Sequence, residues 1–165
     1  MLKRLIGLGV LSIVVFALAI QLIPYGRDHT NPAGNVEPQW NGPQTRELAV
    51  RACFDCHSNL TVWPWYSNVA PISWIIQHDV VEGRQRLNFS AMDRPQRETG
   101  EIARPVQRGS MPPVYYLPLH PSAALSSTEK DVLVQGLNAT FGVTTSGTSG
   151  QFQEGGESRD RGGRD

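Results

Sequence analysis

The run Cys53-Phe54-Asp55-Cys56-His57 constrains this chain more than any other stretch. A Cys-x-x-Cys-His sequence is the attachment pattern for a covalently bound c-type haem. Cysteines at this spacing lie on one side of a helical turn, and from there their thiols reach the two vinyl groups on one porphyrin edge. The histidine that follows falls beneath the ring, where its imidazole binds the iron from one side. Cys53, Cys56 and His57 are therefore the expected attachment residues and proximal ligand of one haem c.

Other uses of the pair fit less well. Two cysteines in all exclude a four-cysteine zinc site, and His29, His57, His78 and His120 are not paired at zinc-finger spacing. A thiol–disulfide pair normally follows a strand in a βαβ pattern, and this sequence has none.

The N-terminus reads as a membrane signal. Met1-Leu2-Lys3-Arg4 supplies positive charge, and Leu5 to Ile23 is apolar apart from Ser12, Gln21 and glycines. That span suffices to cross a bilayer as a helix. Lys3 and Arg4 stay cytoplasmic by the positive-inside rule, which sends the remainder across the membrane. Ala17-Leu18-Ala19 resembles a cleavage site, so a secreted periplasmic form is the alternative. Apolar residues continue to Ile23, which favours a retained anchor over residues 1–23.

Residues 24–43 are rich in proline and lack periodicity, and so read as a linker, with His29 solvated. The tail, 142–165, is Gly/Ser/Thr-rich and then mixed in charge, a composition that predicts disorder. Between them, 44–141 has the size of one small domain. Its periodicity predicts a helix from Thr45 to His57 and a second from Pro71 to Gly83 carrying Ile72, Ile75, Ile76 and Val80. A third opens on a Ser126/Glu129 capping box, runs through Leu133, Leu137 and Phe141, and closes at Gly142. Gly100 and Pro105 disfavour a further helix between Arg94 and Gln107. No stretch alternates at period two, so the expected fold is mostly α: a small cytochrome c-like helical domain around one covalent haem, behind a transmembrane helix. The domain is sparing in large aliphatic residues. Burying a few hundred Å² of porphyrin at about 25 cal/mol per Å² supplies on the order of 10 kcal/mol, comparable with a small domain's net stability.

The residue opposite His57 decides the chemistry. Met111, in Gly109-Ser110-Met111-Pro112-Pro113, is the favoured distal ligand, because a thioether is a soft, neutral donor and the two prolines stiffen its loop. His78 and His120 are the rivals, and an open position is the remaining option. Met92 reads as packing, and Trp63-Pro64-Trp65-Tyr66 as haem-pocket wall or core. Arg84, Arg86, Arg94 and Arg104 are candidate propionate partners.

The ordered set Cys53-x-x-Cys56-His57-Ser58-Asn59, Trp63-Pro64-Trp65-Tyr66-Ser67, Ala70-Pro71-x-Ser73-Trp74, Gly83-Arg84, Leu87-Asn88-Phe89-Ser90, Gly109-x-Met111-Pro112-Pro113, Tyr116, His120 and Leu125-Ser126 resembles the bacterial haem-binding domain family related to c-type cytochromes. The resemblance covers nearly all of 44–141 and implies a mostly helical, single-haem domain facing the periplasm. Met92 stands where that family often has tryptophan, and Pro105 interrupts a stretch that is usually better helix.

The expected function is electron transfer by a membrane-anchored monohaem cytochrome, a carrier rather than a catalyst. It needs a redox partner protein, which the sequence does not name. The alternative is a haem-based sensor or peroxidase-like enzyme with a displaceable distal ligand. A formal net charge of zero gives no sign of a nucleic-acid surface.

Overall fold

The computed structural model describes residues 1–142; the tail from residue 143 onward lies outside the described residues. Six α-helices form among the described residues: α1 (Leu2–Ile20), α2 (Pro43–Ala52), α3 (Phe54–His57), α4 (Ile72–Arg86), α5 (Arg104–Gln107) and α6 (Ser127–Phe141). No strand forms among the described residues, and the one bridge joins Val36 to Ala91. The fold is mostly α.

Helix α1 is long and apolar enough to cross a membrane, and none of its residues is buried in the protein. It ends at Ile20, so Leu22 and Ile23, the last apolar residues of the run, fall in a turn beyond it.

The core is built where α2 and α6 meet. Leu48 and Ala49 of α2 and Leu133 and Leu137 of α6 are buried against Phe54, Leu87, Phe89, Ile102 and Val106. At Gly136 any β-carbon would collide with the Thr45 side chain of α2, so glycine there lets the two helices approach this closely. Ser126 accepts from the Glu129 N–H (3.2 Å) while Glu129 accepts from the Ser126 N–H (2.8 Å), which completes the capping box. Gly142 closes α6 at φ 65°, the left-handed conformation glycine adopts without strain. Between Arg94 and Gln107 only a single 3₁₀ turn and the four-residue α5 form, as Gly100 and Pro105 dictate.

Two expectations about the course of the chain need correcting. The helix expected over Thr45–His57 is two helices, because Cys53 leaves helical geometry at φ −129°. Residues 24–43 lie on the domain instead of lifting it away. The Asn31 amide donates to the Thr61 carbonyl (2.9 Å), Asn59 reaches back to the Gly34 carbonyl (3.0 Å), and Glu37 holds Arg46 through two bonds of 2.7 and 2.8 Å. Trp40 packs on Phe54 and Phe89.

Candidate functional site

The Cys-x-x-Cys-His run forms its own turn of helix. The Cys53 N–H ends α2 on the Ala49 carbonyl (2.8 Å), and the Cys53 carbonyl opens α3 by accepting from the amides of Cys56 (3.2 Å) and His57 (2.9 Å). Helix α4 lies directly on this turn, because a β-carbon at Gly83 would stand 2.5 Å from the Cys56 carbonyl oxygen. That approach brings two carbonyls to one imidazole nitrogen: His57 Nδ1 lies 3.1 Å from the Gly83 oxygen and 3.0 Å from the Leu87 oxygen. Carbonyls only accept, so Nδ1 carries the proton and Nε2 keeps its lone pair for a metal. Burial lowers the His57 pKa against the pull of those two carbonyls, which keeps the ring neutral, the form that ligates.

A cleft of about 130 Å³ is bounded by Cys53, Cys56 and His57 and also by Met111, Pro113, Tyr115 and Tyr116. Beside it a cavity of about 560 Å³ is walled by Ile72, Ile75, Ile76, Val80 and Leu119. The two share Asp55, Cys56, Asp79, Tyr115 and Tyr116, so the largely apolar cavity adjoins the cleft along these residues. Burial pushes both thiols up to about 12, so neither is a thiolate near neutral pH, unlike the activated cysteine of a disulfide-exchange pair. The donor set suits a macrocycle joined at its edge to Cys53 and Cys56 with a ring metal at His57 Nε2, because two free thiols and a neutral imidazole border one cleft. Among the described residues no group of three or more His, Cys, Asp or Glu side chains is placed to hold a bare metal ion.

The loop carrying Met111 is stapled across the space by two phenols. Tyr116 donates to Asp55 (2.6 Å), inside the Cys-x-x-Cys-His turn, and Tyr115 donates to Asp79 (3.0 Å) on α4. Burial, reinforced by these carboxylates, raises both phenol pKa values, Tyr115 to about 12, so both remain donors.

A family model for the haem-binding domain matches residues 15–139. The chain belongs to the haem-binding domain family. No curated protein and no solved structure matches it. The match includes 24–43, the segment found packed on the domain, and it supports haem as the cofactor.

Within this haem-binding domain the favoured residues come together: Cys53, Cys56, His57 and Met111 line one cleft. Met111 is 38% exposed. His78 lines the neighbouring cavity instead. His120 has both ring nitrogens engaged: Nδ1 lies 3.1 Å from the Tyr116 carbonyl oxygen and Nε2 3.1 Å from the Tyr66 hydroxyl, with the ring stacked on Tyr116 at 3.8 Å. His29 is not solvated. It stacks on Trp63 at 4.6 Å and reaches the Ser67 carbonyl (3.2 Å), a placement set by the folded-back segment.

The aromatic run divides. Pro64 and Tyr66 wall the cavity, whereas Trp65 points outward and is 79% exposed, against the expectation of pocket wall or core. Among the four arginines, Arg86 borders the cleft while pairing with Glu82 and Glu98. Arg84 is committed to the Ser58 carbonyl, Asn31 and Thr61, each at 2.8 Å, and Arg94 and Arg104 pair with Asp93 and Glu101. Met92 packs against the core, as expected. Sequence reasoning missed Asp55, Asp79 and Tyr115. Only their partnership across the space marks them, and no local signal reveals it.

Proposed function

We propose that this haem-binding domain carries one covalent c-type haem and serves as a membrane-anchored electron carrier on the periplasmic side of the inner membrane. The observation that carries the reading is the cleft itself, where a neutral imidazole with a free Nε2, a thioether sulfur and two un-ionised thiols converge. When bound, the haem supplies an iron that cycles between ferric and ferrous states. The chain's residues do the rest. Cys53 and Cys56 fix one edge of the ring as thioethers, and His57, oriented by the Gly83 and Leu87 carbonyls, is the proximal ligand. Met111, on a loop tied down by Tyr115 and Tyr116, is the distal ligand, and its soft sulfur favours the reduced state. The isoleucines of α4 give the cavity beside the cleft its apolar wall. An electron carrier needs no acid, base or nucleophile, and the presence of both His57 and Met111 on one cleft supports this reading.

The experiment is near-infrared absorption of the ferric protein. The proposal expects a weak sulfur-to-iron charge-transfer band that disappears in Met111→Ala, and no rapid carbon monoxide binding by the untouched ferrous protein. Fast carbon monoxide binding without that band overturns the carrier reading in favour of a sensor or peroxidase-like enzyme. Helix α1, with Lys3 and Arg4 ahead of its apolar run, supports the anchor and its orientation.

A further inference from the structure

The junction between α1 and the haem domain is not a tether. Gln21, one residue past the end of α1, uses its side-chain amide as a strand uses its backbone: Nε2 donates to the Ala70 carbonyl (2.9 Å) and Oε1 accepts from the Ala70 N–H (3.0 Å). Arg27 donates to the Gln21 carbonyl at 2.6 Å, and Gly26 lies so tightly on the Ser73 carbonyl, at φ 79°, that no β-carbon fits. The start of α4 and the loop before it are therefore clamped to the end of the apolar helix with no spacer. At 1.5 Å per residue, the 19 residues of α1 span about 28 Å, close to the hydrocarbon thickness of a bilayer. A helix that fills the bilayer leaves Gln21 at the headgroup level, and the clamp holds Ala70 there with it.

The surface around that clamp is unusual for one facing water. Trp65, Val69 and Ile72 on the domain and Leu22, Ile23 and Tyr25 on the connection are all exposed, Trp65 at 79% and Leu22 at 84%. An apolar group of this kind marks an interaction site, and tryptophan and tyrosine are the residues enriched at membrane interfaces. We infer that the haem domain lies on the membrane, with the face formed by Trp65, Val69 and Ile72 seated in the lipid headgroup layer beside α1. Ile72 also walls the larger cavity that adjoins the Cys-x-x-Cys-His cleft, so that cavity is held next to the lipid surface and not out in the periplasmic space. This inference rests on the anchor reading above.

The test uses the full-length, haem-loaded chain in phospholipid bilayers, with the photoreactive residue p-benzoylphenylalanine placed singly at three positions. Position 15, inside α1, reports the anchor; position 65 reports the face; position 85, exposed at the far end of α4, reports the water side. Lipid adducts are counted by mass spectrometry after illumination. The inference expects adducts at position 65 comparable with those at 15 and several-fold above those at 85. It further expects Gln21→Ala, which opens the clamp, to lower the yield at position 65 while leaving position 15 and the haem absorption spectrum unchanged. Adducts at 15 with none above background at 65 overturn the inference and leave the anchor standing. Absence of adducts at both 15 and 65 overturns the anchor reading and this inference with it.

Discussion

Gly83→Ala pits two effects of opposite sign against each other at the centre of the site. In an open helix interior, alanine is favoured over glycine by about 1 kcal/mol. At residue 83 the added β-carbon would stand 2.5 Å from the Cys56 carbonyl oxygen and 3.1 Å from its carbonyl carbon. Both are backbone atoms of the Cys-x-x-Cys-His turn and cannot swing aside as a flexible side chain would. Relief requires α4 to move away from α3, and overpacking of this kind costs about 1–3 kcal/mol. The same displacement weakens the hydrogen bond that the single His57 Nδ1–H shares between the Gly83 and Leu87 carbonyls, worth about 0.5–1.5 kcal/mol. The clash and lost hydrogen bonding outweigh the propensity gain, so the net expectation is a loss of about 2 kcal/mol. Urea denaturation of the haem-loaded parent and variant, followed by helical circular dichroism, gives the difference. A variant as stable as the parent, or more stable by the propensity gain, refutes the close-approach reasoning.

Two further substitutions test the frame around the site. Ser126→Ala removes a side-chain acceptor at the start of α6 and should cost about 1 kcal/mol in the same denaturation assay; an unchanged midpoint contradicts the capping role. Glu37 is held down to a pKa of about 2, chiefly by its hydrogen bonds from Arg46, and against the opposing effect of burial. Its folded pKa lies below its unfolded value, so its contribution is full above about pH 4.5 and is lost as pH falls toward 2. Because Arg46 is substantially exposed, solvent screening reduces that contribution to roughly 1 kcal/mol. Glu37→Gln should therefore flatten the acid limb of the stability profile, and identical limbs in parent and variant would exclude this pair as a source of it.

Much of the site was legible because its signals are local. The cysteine and histidine spacing, the Met-Pro-Pro loop and the capping box of α6 each place chemistry within a few residues of chain. What stayed hidden depends on partners far apart in sequence. The clamp of Gln21 on Ala70, the stacking of His29 on Trp63 and the phenol–carboxylate staples join segments whose compositions give no hint of one another. A proline-rich stretch such as 24–43 has no periodicity whether it floats free or lies on a surface, so composition alone makes it a linker. The break at Cys53 is invisible for a similar reason. The apolar pattern runs on through it, and only the stacking of α4 on α3 shows why the turn stands apart from α2.

The account depends most on a covalent bond between haem and Cys53 and Cys56. Mass spectrometry of the full chain, matured in a host that assembles c-type haem and then treated with a thiol-alkylating reagent, tests this directly. The account predicts a peptide containing both cysteines that carries the mass of one haem and takes up no alkyl group. A peptide with both sulfurs alkylated and no haem mass would contradict it.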